Sequence, residues 1–148
     1  MSKNIKRIFI ASDHAGYELK NTVFTSLKEK NLEIIDLGAD SSSKSVDYPD
    51  FANKLTSELL EDKSAIGILI CGSGIGISIA ANRKKHIRAA LCVNENMAKL
   101  SRQHNDANVL CLGARLISET DALNIVDEFL KTEFAGDRHI KRVEKLSS

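Results

Sequence analysis

The residues best suited to chemistry lie in one short stretch, residues 65–81, with the sequence AIGILICGSGIGISIAA. An apolar run typical of a buried parallel strand ends at Cys71, and a glycine-rich turn at residues 72–76 follows directly. A helix is predicted over residues 77–82. Glycine turns and helix N-termini offer unpaired N–H groups to anions, and the helix dipole favours a thiolate. The stretch therefore predicts an anion site beside a sulfur that could act as nucleophile or base.

The glycine turn does not match the known nucleotide motifs. A dinucleotide fingerprint would need glycine where Ile77 stands, and the turn follows the third predicted strand rather than the first. No Gly-Lys-Ser or Gly-Lys-Thr follows the turn, which excludes a nucleoside-triphosphate P-loop. A turn this compact suits a small anion such as a carboxylate, an enediolate or a phosphate.

Two pairs of polar residues lie next to predicted strands. Asp13 and His14 follow the first strand, at the edge where parallel sheets bind ligands, although Asp13 could equally cap the next helix. His104 and Asn105 lie in a polar segment before the fifth strand, where a solvated loop is an equally good interpretation.

Arginines near the end of the chain are candidates for an anion site. Arg115 follows the fifth strand, and Arg138 and Arg142 are four residues apart on one face of a predicted basic helix at about residues 137–146. Together they could hold a phosphate, but their spacing alone favours a solvated basic face. The same interpretation applies to His139, which we predict to be solvated.

Composition limits the class of protein. The chain has 148 residues, which predicts a single domain over 1–148, and its net charge of +1 argues against nucleic-acid binding. No apolar run is long enough for a membrane span, and the N-terminus lacks a signal-peptide pattern, so we predict a cytoplasmic protein. Three cysteines without CxxC spacing argue against a disulfide framework or a zinc site.

Apolar runs alternate with amphipathic segments along the whole chain. Helices are predicted between the strands, and in the fourth of them Met97 and Leu100 should face inward. Short connections between alternating strands and helices indicate an α/β protein, a doubly wound sandwich with a five-stranded parallel sheet. The strands are predicted at residues 5–11, 32–37, 66–70, 87–93 and 109–112.

Five sequence blocks together resemble ribose-5-phosphate isomerase type B, a family that includes the subunits of galactose-6-phosphate isomerase. They are SDHAGYELK at 12–20, DYPDFA at 47–52, ILICGSGIGISIAANR at 68–83, LSRQHNDANVLCLGAR at 100–115 and GDRHIKRV at 136–143. The resemblance extends nearly from end to end. It implies a Rossmann-like three-layer α/β/α sandwich that forms homodimers with shared active sites, and it leaves open whether dimers pair into tetramers. It implies no metal and no cofactor.

The resemblance also implies roles for particular residues. Cys71 would be the base, His104 would open the sugar ring, and Ser73 would assist where many relatives carry threonine. The activity implied is the interconversion of ribose 5-phosphate and ribulose 5-phosphate through a cis-enediolate, in the non-oxidative pentose phosphate pathway. Residues implied to line the sugar are Asp13, His14, Tyr48, Gly72, Gly74, Ile75, Gly76 and Asn105; those implied to hold the phosphate are Arg115, Arg138 and Arg142, with His14.

Two other functions remain open from the sequence. The chain could isomerise a six-carbon sugar phosphate, allose 6-phosphate or galactose 6-phosphate, although a complete set of site residues in one chain argues against an obligate two-subunit galactose enzyme. It could also be a non-catalytic module that binds phosphosugars. The presence of both Cys71 and His104 disfavours this module, because a sensor needs neither residue.

Overall fold

A computed structural model of the protein describes residues 5–147. Five parallel strands form one sheet in the spatial order β2-β1-β3-β5-β4. The strands are β1 (Ile8–Ser12), β2 (Ile34–Asp36), β3 (Ile66–Cys71), β4 (Ala89–Leu91) and β5 (Val109–Gly113). The helices are α1 (Tyr17–Glu29), α2 (Tyr48–Glu61), α3 (Ile75–Asn82), α4 (Glu95–Asn105), α5 (Glu119–Lys131) and α6 (Ile140–Leu146), with a 3₁₀ turn at Asp137–His139 before α6. The predicted five-stranded parallel α/β fold is confirmed.

Helices cover both faces of the sheet because side chains alternate along each strand. Ile8 and Ile10 of β1 enter a core shared with α1, α4 and α5. Phe9 and Ala11 enter a second core, shared with α2 and α3. The protein is therefore a three-layer α/β/α sandwich, with buried strands that are apolar on both faces as parallel sheets require.

The carboxyl ends of the central strands meet at one edge of the sheet. The register pairs Ser12 of β1 with Ile70 of β3, and Cys71 of β3 with Gly113 of β5. Consequently, the segments that follow β1, β3 and β5 emerge side by side. This edge carries Asp13 and His14, which follow Ser12, and the glycine turn at residues 72–76, which follows Cys71.

The boundaries of two helices differ from those expected. Helix α3 begins at Ile75, so Ile75 and Gly76, predicted in the turn, form its first turn instead. Helix α4 runs to Asn105, so the segment that holds His104 is helical and the solvated-loop interpretation is wrong. Asn94 caps α4 as its position suggests, since its side-chain oxygen accepts a hydrogen bond from the Met97 amide at 2.8 Å.

Helix α4 packs through the side that carries Ala98, Ser101 and Arg102. Met97 and Leu100 are 39% and 38% exposed, so the prediction that they face inward is wrong. Arg102 is buried instead, because its guanidinium donates to the carbonyls of Thr132 and Ala107 and to the carboxylate of Asp106. Across residues 5–147, no helix is both long and apolar enough to pass through a membrane.

Candidate active site

The Cys71 sulfur lies at the end of β3, under the turn that leads into α3. The amide of Gly74 donates a hydrogen bond to Cys71 Sγ over 3.1 Å. Gly74 has φ of +76°, and a Cβ there would come within 2.6 Å of Leu91 Cδ1, so only glycine fits. The turn therefore fixes an amide donor at the sulfur.

The remaining amides of the turn are not equivalent. Ile75 N–H donates to Ser73 Oγ at 3.2 Å, which leaves the Ser73 hydroxyl proton free to be donated elsewhere. The amides of Gly72, Ser73 and Gly76 have no acceptor among residues 5–147. These three N–H groups, rather than the whole turn, are available to an anionic ligand.

A cavity of about 500 Å³ lies beside the Cys71 sulfur. It brings together residues that are distant in sequence but follow β1, β3 and β5 or begin α2 and α3. Its lining is Asp13, Tyr48, Cys71, Gly72, Ser73, Ile75, Gly76, Arg115 and Leu116. The cavity thus unites most of the site residues predicted for the sugar with one of the three predicted arginines.

Asp13 and His14 are both held in place by backbone amides. Asp13 Oδ1 accepts from the Gly16 amide at 3.0 Å, so Asp13 closes the turn before α1 and also lines the cavity. His14 Nδ1 accepts from the Val46 amide at 3.1 Å. Because Nδ1 accepts, the ring proton is on Nε2, and His14 can donate a hydrogen bond through that nitrogen.

Tyr48 and Arg115 pack against opposite ends of the glycine turn, at Gly76 and Gly72 respectively. A Cβ on Gly76 would come within 2.5 Å of Tyr48 Cζ, so the tyrosine ring lies directly on the first turn of α3. The Arg115 amide donates to the Gly72 carbonyl at 2.9 Å, and its Nη1 lies 3.0 Å from the position of a Cβ on Gly72. Arg115 therefore places a positive charge at the cavity.

Four other predicted site residues lie away from this cavity: His104, Asn105, Arg138 and Arg142. Helix α4 begins after the carboxyl end of β4 and ends shortly before β5, so its last residues reach the opposite edge of the sheet. Asn105 there lines a separate cavity of about 360 Å³ with Arg88 and Leu146. Within one chain, Cys71 and His104 are on opposite edges, and the three arginines are divided between them.

His139 is buried, so the prediction that it is solvated is wrong. It is 8% exposed, and its ring stacks on that of His104 with centroids 4.4 Å apart and planes inclined by 15°. Burial lowers the pKa of His139, as do the charges of His104, Arg138 and Arg142, whereas Asp137 acts in the opposite direction. Sequence reasoning missed this residue because its stacking partner belongs to α4; the only signal was its position between two arginines.

Comparison with known proteins shows which family the chain belongs to. The sequence model of the Ribose/Galactose Isomerase family matches residues 8–146. The chain belongs to that family. It is 42% identical over 144 residues to ribose-5-phosphate isomerase B of Escherichia coli, and the alignment covers 97% of this chain and 96% of the relative. The predicted family is confirmed.

Two solved structures of family members superpose closely on the chain. Ribose-5-phosphate isomerase B of Clostridium thermocellum is 50% identical, with a TM-score of 0.92 and 95% of each chain covered. The Mycoplasma genitalium enzyme, solved with bound ribulose 5-phosphate, is 44% identical with a TM-score of 0.92, covering 95% of this chain and 93% of that one. The family fold therefore extends over nearly all of the chain.

In this member of the ribose/galactose isomerase family, one apolar surface lies next to the cavity. We call it the apolar face; its residues are 38% to 58% exposed and lie on α3, on α4 and in the segment between β4 and α4. It consists of Ile75, Ile79, Val93, Met97 and Leu100. Helices α3 and α4 lie on opposite faces of the sheet, and the edge strand β4 has residues that are only half-buried. Ile75 belongs both to the apolar face and to the lining of the Cys71 cavity.

Proposed function

We propose that this chain is an aldose–ketose isomerase that interconverts ribose 5-phosphate and ribulose 5-phosphate. The hydrogen bond from the Gly74 amide to the Cys71 sulfur, beside three free amides, is the observation that carries the proposal. It supplies one base and one oxyanion site, which is what proton transfer between adjacent carbons needs. The pentose substrate is supported by relatives named ribose-5-phosphate isomerase B, one of them holding ribulose 5-phosphate.

In the proposed mechanism, the Cys71 thiolate removes the proton from C2 of the open-chain aldose. The proton on the C2 oxygen moves to the C1 oxygen within the cis-enediolate, and Cys71 returns its proton to C1. Charge develops on the substrate oxygen in the cis-enediolate. The amides of Gly72, Ser73 and Gly76 and the Ser73 hydroxyl supply donors for that oxygen. One such donor contributes about 3 to 4 kcal/mol in comparable oxyanion holes. All groups needed for this step lie around one cavity of one chain.

The phosphate and the closed sugar ring need the other edge of the sheet. Arg138 and Arg142, with Arg115 and His14, would hold the phosphate, which does not react but fixes the carbons against Cys71. His104 would move the proton that opens the furanose ring, since a histidine can both donate and accept near neutral pH. One chain cannot bring His104, Arg138 and Arg142 to its own Cys71.

A second copy of the chain solves this problem. A two-fold dimer presents the same surface from each partner, so one contact can complete two sites. The apolar face is suited to that contact because it is exposed and shares Ile75 with the Cys71 cavity. We infer a homodimer in which His104, Asn105, Arg138 and Arg142 of one copy complete the cavity of the other.

The substrate assignment is tested by assaying ribose 5-phosphate beside allose 6-phosphate. We expect conversion of ribose 5-phosphate with the larger kcat/KM. A preference for allose 6-phosphate would support the six-carbon alternative. Binding of both phosphosugars without conversion of either would support the non-catalytic module.

The role of Cys71 is tested by Cys71→Ser, with Cys92→Ser as the matched control. Cys92 is 1% exposed and lies outside the cavity, so its substitution should leave turnover close to that of the unmodified protein. Cys71→Ser should fold normally and lose about 10²–10⁴-fold in kcat, the range typical for a positioned base. Turnover close to normal in Cys71→Ser would remove Cys71 from the mechanism.

A further inference from the structure

The stacked pair His104 and His139 joins two segments of the proposed ring-opening and phosphate site. His104 is half-buried in the last turn of α4, and His139 ends the 3₁₀ turn before α6. The ring centroids are 4.4 Å apart. The Ala135 amide donates to the Gln103 carbonyl at 3.0 Å, so a backbone hydrogen bond holds the two segments together. The contact between the rings is therefore fixed by the fold rather than by the two side chains alone.

The charges around His139 come from three elements. Helix α4 contributes His104, the 3₁₀ turn contributes Asp137 and Arg138, and α6 contributes Arg142. Burial and the three positive groups lower the pKa of His139, and Asp137 raises it. In the proposed dimer, His14 and Arg115 of the second copy would face the same phosphate. The positive charge of the empty phosphate site thus opposes protonation of His139, in addition to its burial.

Two imidazolium rings at 4.4 Å would repel each other, so protonation of one ring disfavours protonation of the other. A phosphate dianion bound by Arg138 and Arg142 would offset their charge. Part of the electrostatic cost of protonating the neighbouring pair would then disappear. Filling the phosphate site and protonating the pair should therefore favour each other, because linkage is reciprocal.

We propose that His139 is a positioning residue that couples the phosphate site to His104: when phosphate occupies Arg138 and Arg142, the stacked pair takes up one proton from solvent. The role of His104 in ring opening rests on the proposed function above. On opening, His104 passes this proton to the ring oxygen, and the anomeric hydroxyl returns one proton to the pair. The pair ends the step as it began, and the proton is held ready only when substrate is bound.

Imidazole NMR titrations of the complete protein test the coupling without any turnover. His104 and His139 are titrated in phosphate-free buffer and again with saturating inorganic phosphate, with sodium chloride at equal ionic strength as the control. We expect phosphate to raise the first protonation midpoint of the pair by about half a pH unit or more, whereas chloride should not. An unchanged midpoint overturns the proposal.

His139→Phe is the matched variant, because it keeps an aromatic ring under His104 and removes the titrating nitrogen. In this variant, phosphate should raise the midpoint of His104 by less than half as much as in the unmodified protein. An undiminished effect of phosphate would show that the arginines act on His104 directly and would overturn the role of His139. If His139→Phe does not fold, the comparison of phosphate with chloride in the unmodified protein still decides whether phosphate and the pair are coupled at all.

Kinetics separate this inference from the proposed function. His139→Phe should lower kcat on ribose 5-phosphate and shift the pH profile of kcat, with KM changed much less. Normal isomerisation with no effect of phosphate on the titration contradicts the coupling alone. A phosphate effect of the expected size in a protein without isomerase activity contradicts the proposed function and leaves the coupling between phosphate and the pair supported.

Discussion

Cys71 differs from the other two cysteines in what surrounds its sulfur. Burial raises the pKa of Cys92 to about 11, and it raises the pKa of Cys111 further. Cys71 is buried as well, but it lines a cavity and accepts a hydrogen bond from the Gly74 amide. Since the thiolate is the reactive form, the three sulfurs should differ greatly in reactivity.

Alkylation measures that difference at the scale of single residues. Iodoacetamide at about pH 7.5 should label Cys71 of the folded protein well before Cys92 or Cys111, with sites read by mass spectrometry. Cys71→Ser is the control, which should take up label only after denaturation. Comparable rates at Cys71 and Cys92 in the folded protein would contradict the proposed difference.

Whether a site residue could be recognised from the sequence depended on where its partners lie. Cys71 and the glycine turn are contiguous, so the donor and the sulfur could be inferred from a single stretch. His139 could not be assigned in this way, because its burial depends on His104, which belongs to another element. Asp13 needed the structure for a different reason: the N-cap of α1 is Gly16, so Asp13 does not cap the helix but accepts from the Gly16 amide in the preceding turn and lines the cavity.

Helix α4 shows why a pattern of apolar residues predicts that a helix forms better than it predicts which side of the helix faces the core. The helix itself was predicted from the sequence, but the side that packs on the protein contains Arg102. That arginine is buried because three acceptors receive its N–H groups, which no periodicity reveals. Met97 and Leu100 are left exposed, on the face that we infer a second copy covers.

The junction of α2 with α3 carries a prediction at the scale of elements. A Cβ on Gly76 would come within 2.5 Å of Tyr48 Cζ, near the far end of a 39%-exposed side chain that can move away. Gly76→Ala should therefore change the free energy of unfolding by less than about 1 kcal/mol, since alanine also favours the helix. Displacing Tyr48 from the cavity should raise KM for ribose 5-phosphate several-fold.

Gly67→Ala provides the contrasting control. Its Cβ would come within 2.4 Å of Leu55 Cδ2, inside the core under α2 and away from the cavity. Overpacking of this kind costs about 1 to 3 kcal/mol of stability, and KM should change little. Denaturant titrations and steady-state kinetics on both variants check the pair. An unchanged KM in Gly76→Ala would mean that Tyr48 does not contact the substrate.

At the scale of the whole molecule, the parallel sheet separates the two halves of the site. Residues that follow a strand emerge at one edge, and residues at the end of the next helix return to the other. Cys71 belongs to the first class and His104 to the second. The sequence contains every residue of the proposed site, but the order of the strands and the direction of α4 decide that one chain cannot assemble it.

Subunit mixing tests whether sites are shared between two copies. Cys71→Ser and His104→Asn homodimers should each be impaired. After subunit exchange, half of the dimers are mixed, and one of the two sites in each has both residues intact. Mixing equal amounts should therefore restore about a quarter of normal activity. If each site belonged to one chain, mixing would restore nothing.

A double variant makes the same test in the opposite direction. When Cys71→Ser/His104→Asn is exchanged with an equal amount of the unmodified protein, every site in a mixed dimer lacks one residue. Activity should then fall to about a quarter of that of the same total amount of unmodified protein. If each site were contained within a single chain, about half of that activity would remain. Native mass spectrometry must show mixed dimers in both experiments. Retention of half the activity with mixed dimers present would rule out the shared site and leave Cys71 without a His104 partner.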